Sequence, residues 1–291
     1  MALFALPIFS QEGPADDWKP VEQALGRSGD RQPDGAIKFS FPRSDLHVSL
    51  QGTPIATGLA FGGWVAFFPA GGGDAMAMGD LVLTEDELPK TMTRLLGSSG
   101  PGTTVEVTAV HNHLQNETPR VMYMHISGHG KALNLAQAIA AALAMTAVPP
   151  PPPAGMPASG AVLPVDAKKI DACMGAAGKV KAPVIAFALP TTGPVSEHGV
   201  TVPASAGVNT AINLQFVSAG RTLGTGDFVL VAERVNAVAK TLTDGGIRVT
   251  ALHSHMLDES PRLFFMHFWA DGDPGAVCAT LRKALNAAVG K

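Results

Sequence analysis

The sequence predicts an α+β fold in two tandem homologous domains, each an antiparallel sheet with flanking helices. Three observations predict it. A long motif occurs twice without a gap, a proline run separates the two copies, and within each copy strand-like alternation gives way to helical spacing. Residues 107–125 read VTAVHNHLQNETPRVMYMH and residues 249–267 read VTALHSHMLDESPRLFFMH. Upstream, Gly79-Asp80-Leu-Val-Leu matches Gly226-Asp227-Phe-Val-Leu, and Lys38-Phe-Ser-Phe-Pro42 matches Ala186-Phe-Ala-Leu-Pro190 more weakly. Self-similarity at this scale marks a duplicated unit. Between the copies lies Pro149–Pro153, which favours polyproline II and can join neither a helix nor a sheet interior. The expected organisation is a first domain over 18–148, a linker over 149–163 and a second domain over 164–291.

Each copy opens with a short helical segment, 21–25 and 167–174. Short strands follow, bounded by Gly, Pro and Asp: 36–41, 47–50 and 63–68 in the first copy, 184–189 and 209–216 in the second. The next strands are 80–83 and 227–231, each starting at the Asp of a Gly-Asp pair. Asp80 and Asp227 read as turn residues that open these strands, with a role in a site as the lesser reading. Segments 85–96 and 233–242 place Leu88, Met92 and Leu95, or Val235, Val238 and Leu242, on one helical face. Strands 104–113 and 247–255 pair, after a loop, with 120–125 and 262–267. Helices 133–145 and 276–289 close the copies. The first copy carries about five extra residues around 97–103, which places an insertion in a loop. Helices alternating with antiparallel strands give the α+β architecture.

Of 291 residues, 46% are hydrophobic and 15% charged, which excludes a mostly disordered chain. The net charge of -3, with no Lys/Arg run, argues against nucleic acid as a partner. No apolar run reaches the roughly 18–20 residues of a membrane span. Cys173 and Cys278 are the 2 cysteines, too few for a zinc finger or a disulfide framework. One bridge between them is allowed, but nothing in the sequence requires it. The N-terminal ten residues are apolar and lack the basic start of a full signal peptide. They fit the remnant of one, or an N-terminal strand or tail. Gly71-Gly-Gly73 lacks the following helix that a phosphate loop needs, and no nucleophile elbow is present.

Six of the 9 histidines fall in the repeated motif: His111, His113 and His125, and His253, His255 and His267. Positions i and i+2 of a strand share a face, so each HxH pair projects together and can share a metal ion. Glu117 and Glu259, in the hairpin loops, can fold back as an oxygen ligand or act as catalytic carboxylates. His125 and His267 return on the partner strand. If His111 sits opposite Tyr123, His125 shares its face; if opposite Met122, it does not, and His129 or another residue completes the first copy. Three imidazoles and a carboxylate suit a divalent metal, zinc foremost, with iron, manganese or copper also compatible. Copper through Met76, Met78, Met122 or Met124 is weaker than plain packing of those side chains. Arg120 and Arg262 follow the loop prolines. They pair with the glutamates to stiffen the loops, or clamp an anionic substrate. The spacing HxHxxxE is similar to the first cupin metal motif, but here the next His follows eight residues after the Glu and helices flank the hairpin. The polar run Pro42-Arg43-Ser-Asp45 has Pro190-Thr-Thr-Gly-Pro as its counterpart, so the two copies are not equivalent.

Phe39-Ser-Phe-Pro-Arg-Ser-Asp45, Met78 to Glu87, Val107 to Met124, Gly226-Asp-Phe-Val-Leu and Val249 to Trp269 resemble the LppY/LpqO family of bacterial proteins, a family of unknown function. The resemblance covers most of residues 18–291. It implies a bacterial, often exported protein, periplasmic or secreted, with a cytoplasmic location left open. It brings no activity, substrate or catalytic residue. Val231-Ala-Glu-Arg, where the first copy has Thr84-Glu-Asp-Glu, weakens the acidic helix start.

Two functions follow from the residues. One is a divalent-metal protein, including a metal-dependent hydrolase or lyase. The other is a non-catalytic module that binds a small ligand or envelope component in a pocket of His, Glu and Arg. The duplication also predicts pseudo-two-fold pairing of the two domains.

Overall fold

The computed structural model describes residues 17–151 and 162–291. The N-terminal apolar stretch and most of the proline linker lie outside the described residues.

The first copy runs α1 (Lys19–Leu25), β1 (Asp30–Arg31), β2 (Ile37–Pro42), β3 (Ser49–Leu50), β4 (Thr53–Pro54), α2 (Thr57–Ala60), β5 (Gly62–Gly71), β6 (Asp74–Thr84), α3 (Leu88–Leu96), β7 (Thr103–His111), β8 (Glu117–Thr118), β9 (Val121–Gly130) and α4 (Ala132–Leu143). The second repeats the plan with α5 (Ala167–Met174), β10 (Lys179–Lys181), β11 (Val184–Leu189), β12 (Ser196–Glu197), β13 (Val200–Thr201), a 3-10 turn (Ala204–Ala206), β14 (Thr210–Ser218), β15 (Arg221–Val231), α6 (Ala232–Asp244), β16 (Arg248–His253), β17 (Glu259–Ser260), β18 (Leu263–Gly272) and α7 (Pro274–Ala288). The main sheets are antiparallel, in the order β1-β2-β5-β6-β9-β7 and β10-β11-β14-β15-β18-β16. A three-stranded sheet accompanies each, β4-β3-β8 and β13-β12-β17. This is the expected α+β duplication.

Helix ends follow local chemistry. Asp166 and Asp273 accept backbone N–H bonds at the starts of α5 and α7, and Gly26 and Gly175 close α1 and α5 in the left-handed region. Helix α3 begins at Leu88, later than the expected 85, because the Glu87 carboxylate turns back to accept from Thr84 N and from Arg43. The extra residues near 97–103 form the connection between α3 and β7, as expected.

Strands β6 and β15 depart from expectation. They begin at Asp74 and Arg221, not at Asp80 and Asp227. Gly79 and Gly226 read as breakers, yet they sit inside continuous strands. A Cβ on Gly79 would lie 2.6 Å from Trp64 O, and one on Gly226 would strike Ala211 O. Glycine is there so that neighbouring strands approach closely, which carries the following Asp into mid-sheet. Strands β7 and β16 in turn stop at His111 and His253, short of the expected 113 and 255.

Helices cover one face of each sheet. Phe39, Phe67, Leu83 and Ile126 pack under α1, α3 and α4, and Phe187, Phe228, Leu230 and Phe268 under α5, α6 and α7. Cys173 of α5 and Cys278 of α7 are joined by a disulfide. The other faces pack on each other through two shared clusters. One joins Phe68, Met76 and Met78 to Val229, Met256 and Phe265; the other joins Val82, Leu114 and Tyr123 to Val184, Leu223 and Trp269. The methionines of β6 are packing residues. The molecule is thus four layers, helix–sheet–sheet–helix, with an apolar seam between the domains. Across the seam, Asn213 Nδ2 donates to Leu59 O, and Gln215 bonds both Ala56 N and Pro54 O.

Candidate metal centre

A cluster of histidines and acids interrupts the apolar seam. In the sheets, Asp80 lies opposite His125 and Asp227 opposite His267. On the next strand His111 lies opposite Tyr123 and His253 opposite Phe265. This is the register in which His125 shares the face of His111. A bulge in β7 and in β16 falls at Thr108 and Thr250. A bulge re-aims a side chain, and both threonines reach across the seam. Thr108 Oγ1 donates to His255 O (2.6 Å), and Thr250 Oγ1 donates to His113 O (2.7 Å). The second His of each HxH pair, beyond its strand end, is therefore pinned by the other domain.

The six imidazoles form one cluster, not two. His111 stacks on His253 with ring centroids 3.7 Å apart, His113 on His267 at 3.9 Å, and His125 on His255 at 3.6 Å. Each of these three stacked pairs takes one ring from each domain, and the pairs interchange under an approximate two-fold axis. Tyr123 and Phe265 back His113 and His255, each at 3.4 Å. Three sets of ring nitrogens have all members within 4.8 Å of one another: His111, His113 and His267; His111, His125 and His253; His253, His255 and His267. Two of the three sets mix the domains.

Asp80 and Asp227 complete the cluster. Asp80 oxygens lie 3.8 Å from His113 Nε2 and 3.9 Å from His125 Nε2. Asp227 oxygens lie 3.2 Å from His255 Nε2 and 3.8 Å from His267 Nε2. Ligand atoms about 2.0–2.2 Å from a shared tetrahedral ion stand roughly 3.3–3.6 Å apart. The observed spacings bracket that value, and most are too long for hydrogen bonds.

Burial sets the charges. It pushes Asp80 up to about 7, offset by Lys38, and pushes Asp227 well above the ordinary carboxylate range, helped by the nearby Asp80. Burial, and then the other rings, push the imidazoles down: His267 to about 3, and His113, His125 and His255 well below the ordinary value. The metal-free cluster therefore holds neutral rings and reluctant acids. Among the described residues, both His111 nitrogens, Nε2 of His113, His125 and His255, and one oxygen each of Asp80 and Asp227 are buried without a hydrogen-bond partner. Unpaired buried polar atoms are costly, so such a concentration asks for a missing partner.

The tautomers say which kind. His267 Nδ1 lies 2.9 Å from Gly226 O, and His253 Nδ1 lies 3.1 Å from Ser254 O. A carbonyl only accepts, so both Nδ1 atoms carry the proton. In neutral rings both Nε2 atoms are then lone pairs, and they face each other at 2.8 Å. Two lone pairs at that distance repel unless a cation sits against both. His125 makes the matching bond with the Gly79 backbone, which presents its Nε2 in the same way.

The other expected site residues lie elsewhere. Glu117 accepts from Val121 N, and Glu259 accepts from Leu263 N and Ser254 Oγ, so both carboxylates clasp their own hairpins. Arg262 pairs with Glu259 at 3.1 Å, while Arg120 stands 4.0 Å from Glu85, and both side chains are more than half exposed. None of these four belongs to a ring-nitrogen set or lines the adjoining cavity. His198, in the left-handed region, pairs with Asp258 at 3.2 Å. Sequence alone marked Asp80 and Asp227 mainly as turn residues and did not single out Lys38, which lines the adjoining cavity with them. The matched Gly-Asp pairs were the available signal for the aspartates.

A cavity of about 650 Å³ opens beside the cluster between the domains, with Asp80, His113, His125, Asp227, His255 and His267 on its wall. Lys38, Trp64 and Asn209 also line it. Among the described residues no helix is long and apolar enough to cross a membrane.

No curated protein matches the chain. Among solved structures it is similar to EtuB from Clostridium kluyveri, at 11% identity, 90% of each chain and a TM-score of 0.22, a likeness that bears on neither fold nor function. The pattern of a family described as Domain of Unknown Function (DUF1259) matches residues 19–145 and again 168–287. With both repeats matched, the chain belongs to that family.

Proposed function

We propose that the two repeats together build one divalent transition-metal centre, zinc foremost, and that the protein is a metal-dependent hydrolase or lyase of the bacterial cell envelope. The observation that carries the metal is the pair of Nε2 lone pairs of His253 and His267, 2.8 Å apart, whose protons are fixed on the far nitrogens. The donor set of imidazoles and carboxylates suits zinc, iron, manganese or copper. His111, His113, His125, His253, His255 and His267 would hold the ion or ions, with Asp80 and Asp227 as oxygen ligands. Such an ion, when bound, supplies Lewis acidity and lowers the pKa of bound water. The chain's own contribution is to orient the rings through Gly79, Gly226 and the two bulge threonines, and to surround them with apolar side chains.

The cavity beside the cluster supports a small-molecule substrate. The likeness to LppY/LpqO proteins and the Cys173–Cys278 disulfide both fit an oxidising compartment outside the cytoplasm. Metal content of the purified, reconstituted protein tests the reading. We expect at least one equivalent of a transition metal in the natural chain and almost none in the double variant H253A/H267A with its fold intact by circular dichroism. Less than about a tenth of an equivalent in the natural chain would end it. Binding of a small ligand that persists unchanged after chelation would instead favour a non-catalytic module.

A further inference from the structure

We propose that the interdomain cavity is a carboxylate site, in which the Lys38 ammonium holds the acid group of a small organic anion beside the metal centre. The inference rests on the metal reading above and adds the class of substrate.

Lys38 is on β2, paired with Ala66, and its side chain reaches the cavity wall. One of its three N–H groups is used on Ser205 O, at 2.9 Å. Its Nζ sits 3.8 Å from the centroid of the Trp64 ring, which holds the stem in place and tolerates a cation. The nearby Asp34 is already occupied by Ser205 N and Oγ. Among the described residues Ser205 O is the one hydrogen-bond partner of the ammonium and the Trp64 face covers another side, so at least one N–H is left for a ligand. Burial lowers Lys38 to about 8, against the pull of Asp80 and Asp34.

The rest of the wall defines the ligand. Apart from imidazoles, Lys38 is the one basic side chain lining the cavity among the described residues. A single ammonium matches a monoanion, whereas a phosphate dianion is usually met by several donors. Trp64, Leu59, Ala60, Ala188 and Ala211 give the wall an apolar surface for the body of an organic acid. The site is asymmetric. The counterpart of Lys38 is Ala186, and Ala211 stands opposite Asp227 as Trp64 stands opposite Asp80. The chain therefore offers its cation at one end, so a bound acid has one orientation. A bound metal ion would add a positive field at this wall, so an anion is expected to bind more tightly with the metal than without it.

The test uses the full chain loaded with Co²⁺, with metal content measured first. Hexanoate is titrated against the cobalt absorption and by calorimetry, with hexanamide and inorganic phosphate as comparison probes. We expect saturable hexanoate binding, weaker by about tenfold or more in K38M at unchanged metal content and regained in K38R. Hexanamide and phosphate should bind at least about tenfold more weakly than hexanoate. Equal hexanoate affinity in K38M, equal affinity for hexanamide, tighter binding of phosphate, or no binding by the loaded protein would overturn the proposal while leaving the metal centre standing. Failure to take up metal would sink both, and the first measurement identifies that case.

Discussion

The two domains solve the same local problem with different chemistry. Two residues after each clustered aspartate comes a valine, Val82 or Val229, whose carbonyl is bonded from a side chain just after β2 or β11. In the first domain the donor is Arg43, fully buried, which reaches Val82 O at 2.9 Å and also holds Asp45 and Glu87 at 2.7 and 2.6 Å. In the second it is Thr191, whose hydroxyl donates to Val229 O at 2.7 Å beside Thr210 Oγ1. A three-charge network and a pair of hydroxyls serve equivalent backbones. The difference teaches that divergence between the copies was free wherever only a carbonyl had to be satisfied. The rings and acids of the seam, which depend on both copies at once, stayed matched.

The largest effect should come from breaking the charged version of this support. Arg43→Met leaves Asp45 and Glu87 without their cation, and removing one partner of a buried ion pair costs about 3–5 kcal/mol. Thr191→Val leaves one carbonyl and one hydroxyl short, at about 1–2 kcal/mol. Urea unfolding of the two variants should separate them by at least about 1 kcal/mol. Equal losses would mean that the Arg43 network adds nothing beyond the carbonyl bond.

At the seam the comparison should collapse. His113 and His255 are equivalent under the two-fold and each is pinned by the opposite domain, so H113A and H255A should lower metal affinity alike. Loss of an outer partner alone typically costs 10–100-fold, so removing a ligand should cost about 100-fold or more, roughly 2.7 kcal/mol. Competition against a chelator of known affinity measures this. A variant in one domain that leaves metal affinity unchanged would show that the other domain binds unaided.

pH should sharpen the same picture. The imidazoles are lowered by burial, so the unfolded chain takes up their protons first. Stability of the metal-free protein should therefore fall as pH drops from about 6.5 toward 3, where His267 titrates. The aspartates act with the opposite sign. Asp80 is raised from 3.8 to about 7, so the folded state keeps a proton that the unfolded chain has lost, and this part of the stability falls as pH rises across that range. Between pH 5 and 6.5 the two trends oppose each other. Removing both acids in D80N/D227N should steepen the loss of stability on acidification, by up to about 1.4 kcal/mol per pH unit for each acid. Melting temperatures of chelated protein across that window give the slopes, and an unchanged slope would mean that the acids are ionised in the folded protein.

How much of this was legible in the sequence depended on whether the signal was local. The duplication, the class of each long element and the six histidines that cluster in the fold could be read because they rest on repeats and periodicity. The register of His125 could not, since a one-residue slip reverses a strand's faces and only the pairing decides. The aspartates were misjudged for a tertiary reason: Gly79 and Gly226 look like breakers until the neighbouring strand is seen to need the room. Lys38 could not be singled out because Ser205, its hydrogen-bond partner, and part of the cavity wall come from the other domain. The glutamates, conversely, kept the right spacing for ligands, but their own hairpin N–H groups claim them first.

The smallest effect concerns the arginines. Arg262 pairs with Glu259 at 3.1 Å, whereas Arg120 is 4.0 Å from Glu85 and has drifted from the equivalent Glu117. The Arg120 pair is exposed on both sides, where an ion pair contributes about 0.2–1 kcal/mol. The Glu259 carboxylate is instead buried and keeps its bonds from Leu263 N and Ser254 Oγ when Arg262 is removed. R262A should therefore cost a few tenths of a kcal/mol more than R120A, and neither should change metal content or hexanoate affinity. If either substitution weakened carboxylate binding tenfold, an arginine would be clamping the ligand after all, and the assignment of that role to Lys38 would have to give way.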